Sequence, residues 1–368
     1  MLETKTQVKM PTSISVKLAW LVSLSSLLTI LFVGSCAKPT VGPPSETPFY
    51  QGKVITIFVT SPAGSTTEIH ARNYAMYLDQ YIPGNPRIII DNRGGGGGAL
   101  GMHHYLESVK PDGLSLVLMS SGVLTRWLMQ AEGHDYDMRK TTLLLGAPDA
   151  SVYYVNSKLG IRGIKDLLAP GRAVTSGHTT LDSATAIAER FCAELLGYKV
   201  KQVAGYGDRS ETKMAVIRGE VMMSGVGALA WLAFVPSVQA GDILPLFQDG
   251  TGREMRRFPA VPDLPTVAEV YQTIHGRPPE GSAWDSLTAL QAIQISGAMV
   301  VHSEAPPEAI KELRAGIKTM LGSAEFKELA LKQVGTENTE KAYLYGDQAV
   351  RAWQDVLNTP AEVVELFK

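Results

Sequence analysis

The stretch Lys53–Arg72, KVITIFVTSPAGSTTEIHAR, decides the fold, because its pattern changes there from a strand to a helix. Its first part, KVITIFVT, is rich in β-branched residues and predicts a strand. SPAGSTTE then combines turn formers with residues that start helices, and EIHARNYAMYLDQYI places apolar residues at helical spacing. A strand that leads through a short loop into a helix is the basic unit of an α/β sheet.

The sequence after this unit repeats the same order. RIIID at 87–91 predicts a second strand, ALGMHHYLESV a helix and LSLVLMSS a third strand. A β-α-β-α-β order implies a parallel sheet with right-handed crossovers. Similar runs between 151 and 249 predict a second unit, and the chain then returns to the first. We therefore predict one lobe from 49–150 plus 250–368 and another from 151–249.

The glycine-rich stretch DNRGGGGGALG, Asp91–Gly101, follows the second strand and satisfies the G-x-G-x-x-G pattern. A dinucleotide loop needs its first glycine at the strand end and an acid that closes the next strand. Here DNR intervenes, and the next strand ends in two serines. We reject nucleotide binding. Because glycine lacks a Cβ and tolerates positive φ, the loop is interpreted as a turn that seats a helix close to the sheet.

The composition excludes several classes of protein. The chain has 368 residues, of which 45% are hydrophobic and 19% charged, and this is enough for two α/β lobes. A formal net charge of −2 gives no basic footprint, so we expect no nucleic-acid partner. The sequence contains no Cys/His cluster of the kind that binds zinc, so we expect no metal and no cofactor.

The N-terminus predicts export and lipid attachment. Three lysines precede LAWLVSLSSLLTILFV, an apolar run that is short for a membrane span and typical of a signal-peptide core. VGSC then resembles the lipobox of bacterial lipoproteins, which implies a signal peptide over 1–35 and a lipid on Cys36. An uncleaved anchor with an incidental cysteine is the alternative.

Residues 36–48 are rich in proline and predict a solvated tether behind the lipidated cysteine. More than one acyl chain on Cys36 suffices for stable anchoring. We therefore expect an exported protein whose lipid lies in the outer face of the cytoplasmic membrane or the periplasmic side of a bacterial envelope membrane.

Several motifs together resemble one family over nearly the whole body of the chain. They are ITIFVTSPAGSTTEIHAR, IIIDNRGGGGGALG, PDGLSLVL, VTSGHTT, GYGDRSETKMAVIRGEV and VPDLPTVAE. In this order they are similar to the motifs of the Bug (TctC-like) receptors, the substrate-binding proteins of tripartite tricarboxylate transporters. VTSGHTT, for example, is similar to the family's F-G-S-x-G-x-G-T.

This resemblance implies an α/β protein with a two-lobed periplasmic-binding-protein-like (type II) fold. Each lobe would be a mainly parallel sheet flanked by helices, with the ligand cleft between the lobes. The implied function is a monomeric, non-enzymatic receptor that captures a small organic carboxylate by lobe closure and delivers it to membrane transporter subunits. Two alternatives stay open: a receptor for an amide or aromatic ligand, and a sensory binding protein.

The resemblance also implies the ligand site. In the family, two loops hold a ligand carboxylate with backbone amides, hydroxyls and ordered water, a chemistry to which helix N-termini are suited. The matching positions of the first loop are Ala63, Gly64, Ser65, Thr66, Thr67 and Glu68. Those of the second loop are Ser176, Gly177, His178, Thr179 and Thr180. Further candidates near strand ends are Ser120, Ser121, Tyr206, Gly225 and Val226.

Some of these positions depart from the family pattern. Ser65 replaces a glycine and Glu68 replaces an aspartate, and both also suit an ordinary helix N-cap with a first-turn acid. His178 is either a ligand contact or a surface-loop histidine. It lies close in sequence to Ser176 and Asp182, but only spatial geometry identifies a catalytic triad. The segment 271–298 departs most, and it either covers the cleft or pads the first lobe.

Overall fold

The computed structural model describes residues 47–169 and 173–367. The predicted signal peptide over 1–35, the lipidation site Cys36 and most of the tether over 36–48 lie outside the described residues. Within the described ranges, no helix combines the length and the apolar character that crossing a membrane requires.

Two β-sheets organise the part of the chain that the structure describes. The strands of the first sheet are β1 (Val54–Val59), β2 (Arg87–Asn92), β3 (Ser115–Met119), β4 (Thr141–Pro148), β10 (Ile295–His302) and β11 (Leu344–Tyr345). Those of the second are β5 (Ser151–Asn156), β6 (Ala173–His178), β7 (Lys199–Ala204), β8 (Met223–Gly227) and β9 (Ile243–Gln248). The strand orders are β11-β4-β10-β3-β1-β2 and β7-β6-β8-β5-β9. We call the two sheets with their helices the first and second lobe.

Helices flank both sheets. Their bounds are α1 (Thr66–Tyr81), α2 (Ala99–His103), α3 (Ser121–Leu128), α4 (Ile164–Leu167), α5 (Ala184–Leu196), α6 (Arg209–Arg218), α7 (Ala228–Trp231), α8 (Val235–Gln239), α9 (Val267–His275), α10 (Ser282–Ile293), α11 (Pro307–Gly322), α12 (Ala324–Val334), α13 (Thr339–Ala342), α14 (Gly346–Leu357) and α15 (Ala361–Glu365). Central strands such as β3 and β10 are buried almost throughout, since helices cover both of their faces. The edge strands β2 and β7 alternate between exposed and half-buried residues.

The predicted two-sheet α/β architecture is confirmed, but the sheets are mixed rather than mainly parallel. β1 pairs in parallel with β2 and β3, and β6 pairs in parallel with β7 and β8. β10 and β11 pair antiparallel with β4, β10 with β3, and β5 with β8 and β9. In the first sheet β10 and β11 run opposite to β1, β2, β3 and β4, and in the second sheet β5 runs opposite to the other four strands. β5 and β10 are the first strands after the chain passes from one sheet to the other. A strand at such a passage does not follow the βαβ crossover that enforces parallel pairing.

The glycine-rich stretch has the seating role that its composition predicts. Gly95, Gly96, Gly97 and Gly98 all have positive φ, a conformation that other residues rarely adopt. A Cβ on Gly101 would lie 2.6 Å from the carbonyl oxygen of Arg93. The loop therefore brings α2 against the end of β1 at a distance that only glycine permits.

Candidate functional site

Two small cavities, here called the cleft cavities, lie between the lobes. Their volumes are about 10 Å³ and 30 Å³, so each has room for about one water molecule. Asp149, Arg209 and Gly227 line both cavities. The smaller cavity is also lined by Thr66, Thr67, His70, Ser120, Leu229, Ala230, Ser296 and Gly297. The larger is also lined by Ser121, Ala150, Ser151, Ala184, Thr185, Gln291 and Gln294.

The first predicted loop reaches the smaller cavity through Thr66 and Thr67 alone. Ser65 is the N-cap of α1, and its Oγ accepts a hydrogen bond from the Glu68 amide at 3.2 Å. Glu68 Oε2 in turn accepts one from the Gly64 amide at 2.7 Å. This bond from Gly64, together with Arg72, lowers the pKa of Glu68. The structure thus gives Ser65 and Glu68 the capping role, and neither they nor Ala63 and Gly64 line the cleft cavities.

The second predicted loop holds a buried polar cluster beneath the cleft. Glu189 of α5 is fully buried, and its carboxylate accepts hydrogen bonds from Ser176 Oγ at 2.6 Å and Gln202 Nε2 at 2.8 Å. His178 Nε2 lies 2.7 Å from the same carboxylate. His178 is 3% exposed and lines neither cleft cavity, so it is not a surface-loop histidine. Its partners hold it away from the cavities.

This cluster contains serine, histidine and a carboxylate, yet its geometry differs from that of a catalytic triad. In a triad, the serine and the acid bind opposite nitrogens of the imidazole. Here Ser176 Oγ and Glu189 both approach Nε2, at 3.2 and 2.7 Å. Asp182, the acid nearest in sequence, pairs with Arg126 instead. The cluster is therefore a packing element of the second lobe.

The other predicted residues fall into two groups. Ser120 and Ser121 line the cleft cavities at the start of α3, whereas Gly225 and Val226 lie within β8, two residues and one residue before Gly227. Gly177 and Tyr206 pack together, since a Cβ on Gly177 would lie 3.0 Å from the Tyr206 ring. The carbonyl oxygen of Thr179 accepts a hydrogen bond from the Gly205 amide at 3.3 Å. Gly177, Thr179 and Tyr206 line neither cleft cavity.

Thr180 takes part in a contact between the lobes. Arg126 of α3 donates to Thr180 Oγ1 at 2.8 Å and to both oxygens of Asp182 at 3.1 and 3.3 Å. The same guanidinium donates to the carbonyl oxygen of Gly97 at 3.3 Å. Burial raises the pKa of Asp182, but the bonds from Arg126 and Thr180 outweigh it and the net pKa is lowered. We call this contact the Arg126 clasp.

Replacing Arg126 by alanine is expected to open the lobes and to weaken ligand binding about 5- to 30-fold. A partly buried, bidentate ion pair contributes about 1–2 kcal/mol, and that contribution exists only in the closed state. Small-angle X-ray scattering would report a larger radius of gyration, and titration calorimetry would report the affinity. The control is Arg139→Ala, which breaks an exposed pair with Asp137 inside the first lobe. Equal effects of the two variants would contradict a clasp.

Arg209 is the cleft residue that the sequence analysis missed. It opens α6 directly after the N-cap Asp208, so a cation and a helix N-terminus point at the same place. Burial of the His70 side chain, as the larger cause, and the charge of Arg209 lower the pKa of His70 to about 4. His70 is therefore neutral at neutral pH, and among the described residues Arg209 is the one cation that lines the cleft cavities. The sequence does contain a signal that could have identified Arg209, because a basic residue stands at the start of a helix that follows a strand of the second lobe.

The site also contains two buried acids, Asp149 and Asp249. Burial raises the pKa of Asp149, and it raises the pKa of Asp249 to about 7. Asp249 Oδ1 accepts a hydrogen bond from the Ser151 amide at 2.6 Å. Asp149 interacts electrostatically with Arg209, but the two do not form a direct ion pair. The described residues contain no group of three His, Cys, Asp or Glu side chains that could hold a metal ion.

Asp249 predicts a specific dependence of stability on pH. Because the folded protein keeps this proton up to about pH 7, whereas the unfolded chain loses it near pH 4, stability falls as pH rises through that window. Urea unfolding of wild type and Asp249→Asn is expected to show their stability difference shifting by up to about 1.4 kcal/mol per pH unit. His70 titrates with the opposite sign, and it cancels in this comparison because both proteins carry it.

The exposed Asp263 supplies the control for this experiment. The curve for Asp263→Asn is measured alongside as the reference for an exposed aspartate. A curve for Asp249→Asn that does not differ from this reference would mean that the buried carboxyl is already ionised in the folded protein below neutral pH.

The segment 271–298, left open by the sequence, joins the second lobe to the cleft. α9 and α10 pack against α5, a helix that flanks the second sheet. α10 carries Gln291 to the larger cavity, and Gln294 follows directly after it. Gln294 Nε2 donates to Thr125 Oγ1 of α3 at 3.3 Å. The segment thus forms one wall of the cleft cavities.

Comparison with known proteins identifies the fold. No protein-family model and no curated protein matches the chain. The periplasmic binding protein BugD matches with a TM-score of 0.60 and 18% identity, covering 86% of this chain and 97% of that one. A TctC solute-binding protein from Polaromonas gives 0.61 and 17%, with 86% and 98% covered. The chain has the fold of these periplasmic solute-binding proteins.

A third structure of this fold contains a ligand. MatC from Rhodopseudomonas palustris, with bound malate, matches with a TM-score of 0.59 and 16% identity. The match covers 85% of this chain and 99% of MatC, so both lobes are included.

Proposed function

We propose that the chain is an exported solute-binding receptor of the Bug (TctC-like) type, which captures a small organic carboxylate by closing its two lobes. The observation that carries this proposal is Arg209, whose positive charge lies between the lobes at the N-terminus of α6. A carboxylate there meets both a guanidinium and a helix terminus.

Further helix starts converge on the same place. Thr66 and Thr67 begin α1, Ser121 begins α3 and Ala184 begins α5, and all four residues line the cleft cavities. Helix N-termini carry unpaired amides and partial positive charge, which suits an anion. Residues from both lobes thus hold one ligand, so its binding favours the closed state. The malate bound to MatC is a ligand of the proposed class.

The remaining features of the proposal concern the setting of the receptor. The lobes comprise 49–150 with 250–368, and 151–249, and the protein acts as a monomer without enzymatic activity. Lipid on Cys36 holds it at a bacterial membrane through the tether over 36–48, and membrane transporter subunits take the ligand from it. The folds of BugD and of the TctC protein support an extracytoplasmic location.

A thermal-shift screen tests the ligand class. Purified protein is heated with mono-, di- and tricarboxylates, and with neutral amides and aromatic compounds. At a concentration of about 100 times the dissociation constant, a ligand stabilises the folded state by about 2.7 kcal/mol, so its melting temperature rises measurably. We expect at least one carboxylate to raise it. A rise with neutral compounds alone would contradict the proposed function.

Membrane attachment is tested separately by Cys36→Ser. In a bacterial host, the wild-type protein is expected in the membrane fraction, because the acyl chains give stable anchoring. The variant should move to the soluble fraction or remain as an unprocessed precursor. Serine at the neighbouring position Gly34 is the control, since it keeps a small residue there. A Cys36→Ser protein that is processed and membrane-bound like wild type would contradict lipid attachment.

A further inference from the structure

A pocket outside the cleft lies within the first lobe, between the loop that follows β9 and the end of α12. Its volume is about 450 Å³, which is in the range of small-molecule sites. Part of its wall is apolar and comprises Pro148, Phe258, Pro259, Val334 and Ala342. None of the described residues that line this pocket lines a cleft cavity, so the pocket is separate from the proposed ligand site.

The rest of the wall is strongly basic. It includes four cations and one acid, which are Arg253, Arg256, Arg257, Lys341 and Glu254. These side chains carry a formal excess of three positive charges, whereas the whole chain has a net charge of −2. Like charges gathered around one cavity repel each other, so an anion bound among them is stabilised. We call this site the basic pocket.

Neighbouring acids do not neutralise all of these cations. Arg256 and Arg257 each pair with a glutamate, and both pairs are exposed to solvent, where such pairs contribute little to stability. Arg253 and Lys341 form neither an ion pair nor a side-chain hydrogen bond with any described residue. A bound anion would therefore supply the partner of two side chains that the protein itself leaves unpaired.

A tight hairpin presents the arginines to the pocket. The Thr251 amide donates to the carbonyl oxygen of Arg256 at 2.8 Å, and the Arg256 amide donates to that of Thr251 at 3.1 Å. Met255 has a φ of 49°, which is uncommon for a residue other than glycine, and its side chain is buried. A Cβ on Gly250 would lie 2.8 Å from the Met255 backbone. Burial and close packing thus hold a strained hairpin in place, as is typical of ligand sites.

We propose that the basic pocket binds a phosphate ester that carries an apolar group. The phosphate pairs with Arg253 and Lys341, and the apolar group packs against the apolar wall. A phosphate monoester has nearly two negative charges at pH 7 and three acceptor oxygens, so one group serves both unpaired cations. A single carboxylate would offset only one of them. This chemistry occurs in soluble phosphate esters and in anionic phospholipid headgroups, and the inference does not rest on the proposed function.

Titration calorimetry with the full-length protein tests the inference. The probes are phenyl phosphate, which represents a soluble ester, and dihexanoyl phosphatidic acid, which represents a lipid headgroup. Inorganic phosphate is the reference without an apolar group. At least one of the two esters is expected to bind at least about 10-fold more tightly than inorganic phosphate, because its apolar group is removed from water. The ester with the higher affinity identifies the source of the ligand.

A double variant, Arg253→Ala with Lys341→Ala, is expected to weaken the binding of that ester at least about 10-fold, since charge-assisted hydrogen bonds to the phosphate are lost. Lys318→Ala with Arg351→Ala is the matched control. It removes the same two charges from exposed positions outside the pocket and should keep the wild-type affinity.

Three results would overturn the inference and leave the proposed function intact. The first is an equal loss of affinity in both double variants, which would indicate general attraction to a positive surface. The second is wild-type affinity in the Arg253 and Lys341 double variant, which would place the ester elsewhere. The third is that neither ester binds more tightly than inorganic phosphate.

Discussion

Replacing Arg209 by alanine is expected to weaken carboxylate binding about 100-fold. The guanidinium is the one cation among the described residues that line the cleft cavities, and its charge lowers the pKa of His70 from within the cleft. Truncating one partner of a desolvated, hydrogen-bonded charge pair costs about 2–5 kcal/mol, and 100-fold corresponds to about 2.7 kcal/mol. Titration calorimetry with the tightest acid of the screen measures the change.

Arg218→Ala is the control for this prediction, because Arg218 ends the same helix and pairs with the exposed Glu220. The Arg218→Ala substitution should change the affinity by less than about 2-fold. Arg209→Ala also leaves Asp149 without its nearby cation, so circular dichroism must show that the variant is folded. If the folded variant keeps the wild-type affinity, Arg209 does not contact the ligand and the helix N-termini alone would have to bind it.

Replacing Glu189 by alanine is expected to destabilise the protein by about 3–5 kcal/mol. The side chain is fully buried, and its removal leaves the groups of Ser176, His178 and Gln202 without their shared acceptor. A buried donor that loses its partner keeps the full desolvation cost, and the cavity adds to it. Urea unfolding measures the loss, with Glu194→Ala as the control, since Glu194 lies exposed on the same helix.

This experiment also separates two roles of His178. If the cluster is a packing element, Glu189→Ala lowers stability, and at temperatures where it stays folded the affinity for the ligand changes little. A large loss of affinity with unchanged stability would instead make His178 a ligand contact that Glu189 orients.

The strands and helices could be predicted because their patterns are local. KVITIFVT became β1, and the helix-starting residues of SPAGSTTE became the start of α1, with Ser65 as its N-cap. The direction of β5 and β10 could not be predicted in this way. It depends on the passage of the chain between the two lobes, which no local pattern records.

The site was predicted less completely, because neighbours in sequence are not neighbours in space. Thr66, Thr67, Ser120 and Ser121 reach the cavities, since each lies where a first-lobe strand leads into a helix. His178 also lies at the end of a strand, β6 of the second lobe, but its contact with Glu189, eleven residues later, holds it in the interior. α10, which is five helices after α5, brings Gln291 to the cleft, and no local pattern in the sequence predicts this contact.

The two buried acids occupy particular points along the chain. Asp149 immediately follows β4 and Asp249 immediately follows β9, so each stands where the chain leaves one sheet for the other. Ser151 joins them, because its amide donates to Asp249 from the strand that Asp149 precedes. Asp149 also lines both cleft cavities, whereas Asp249 lines neither. A substitution at Asp149 therefore changes the passage between the sheets and the wall of the binding cavity together, whereas the passage at Asp249 can change without altering that wall.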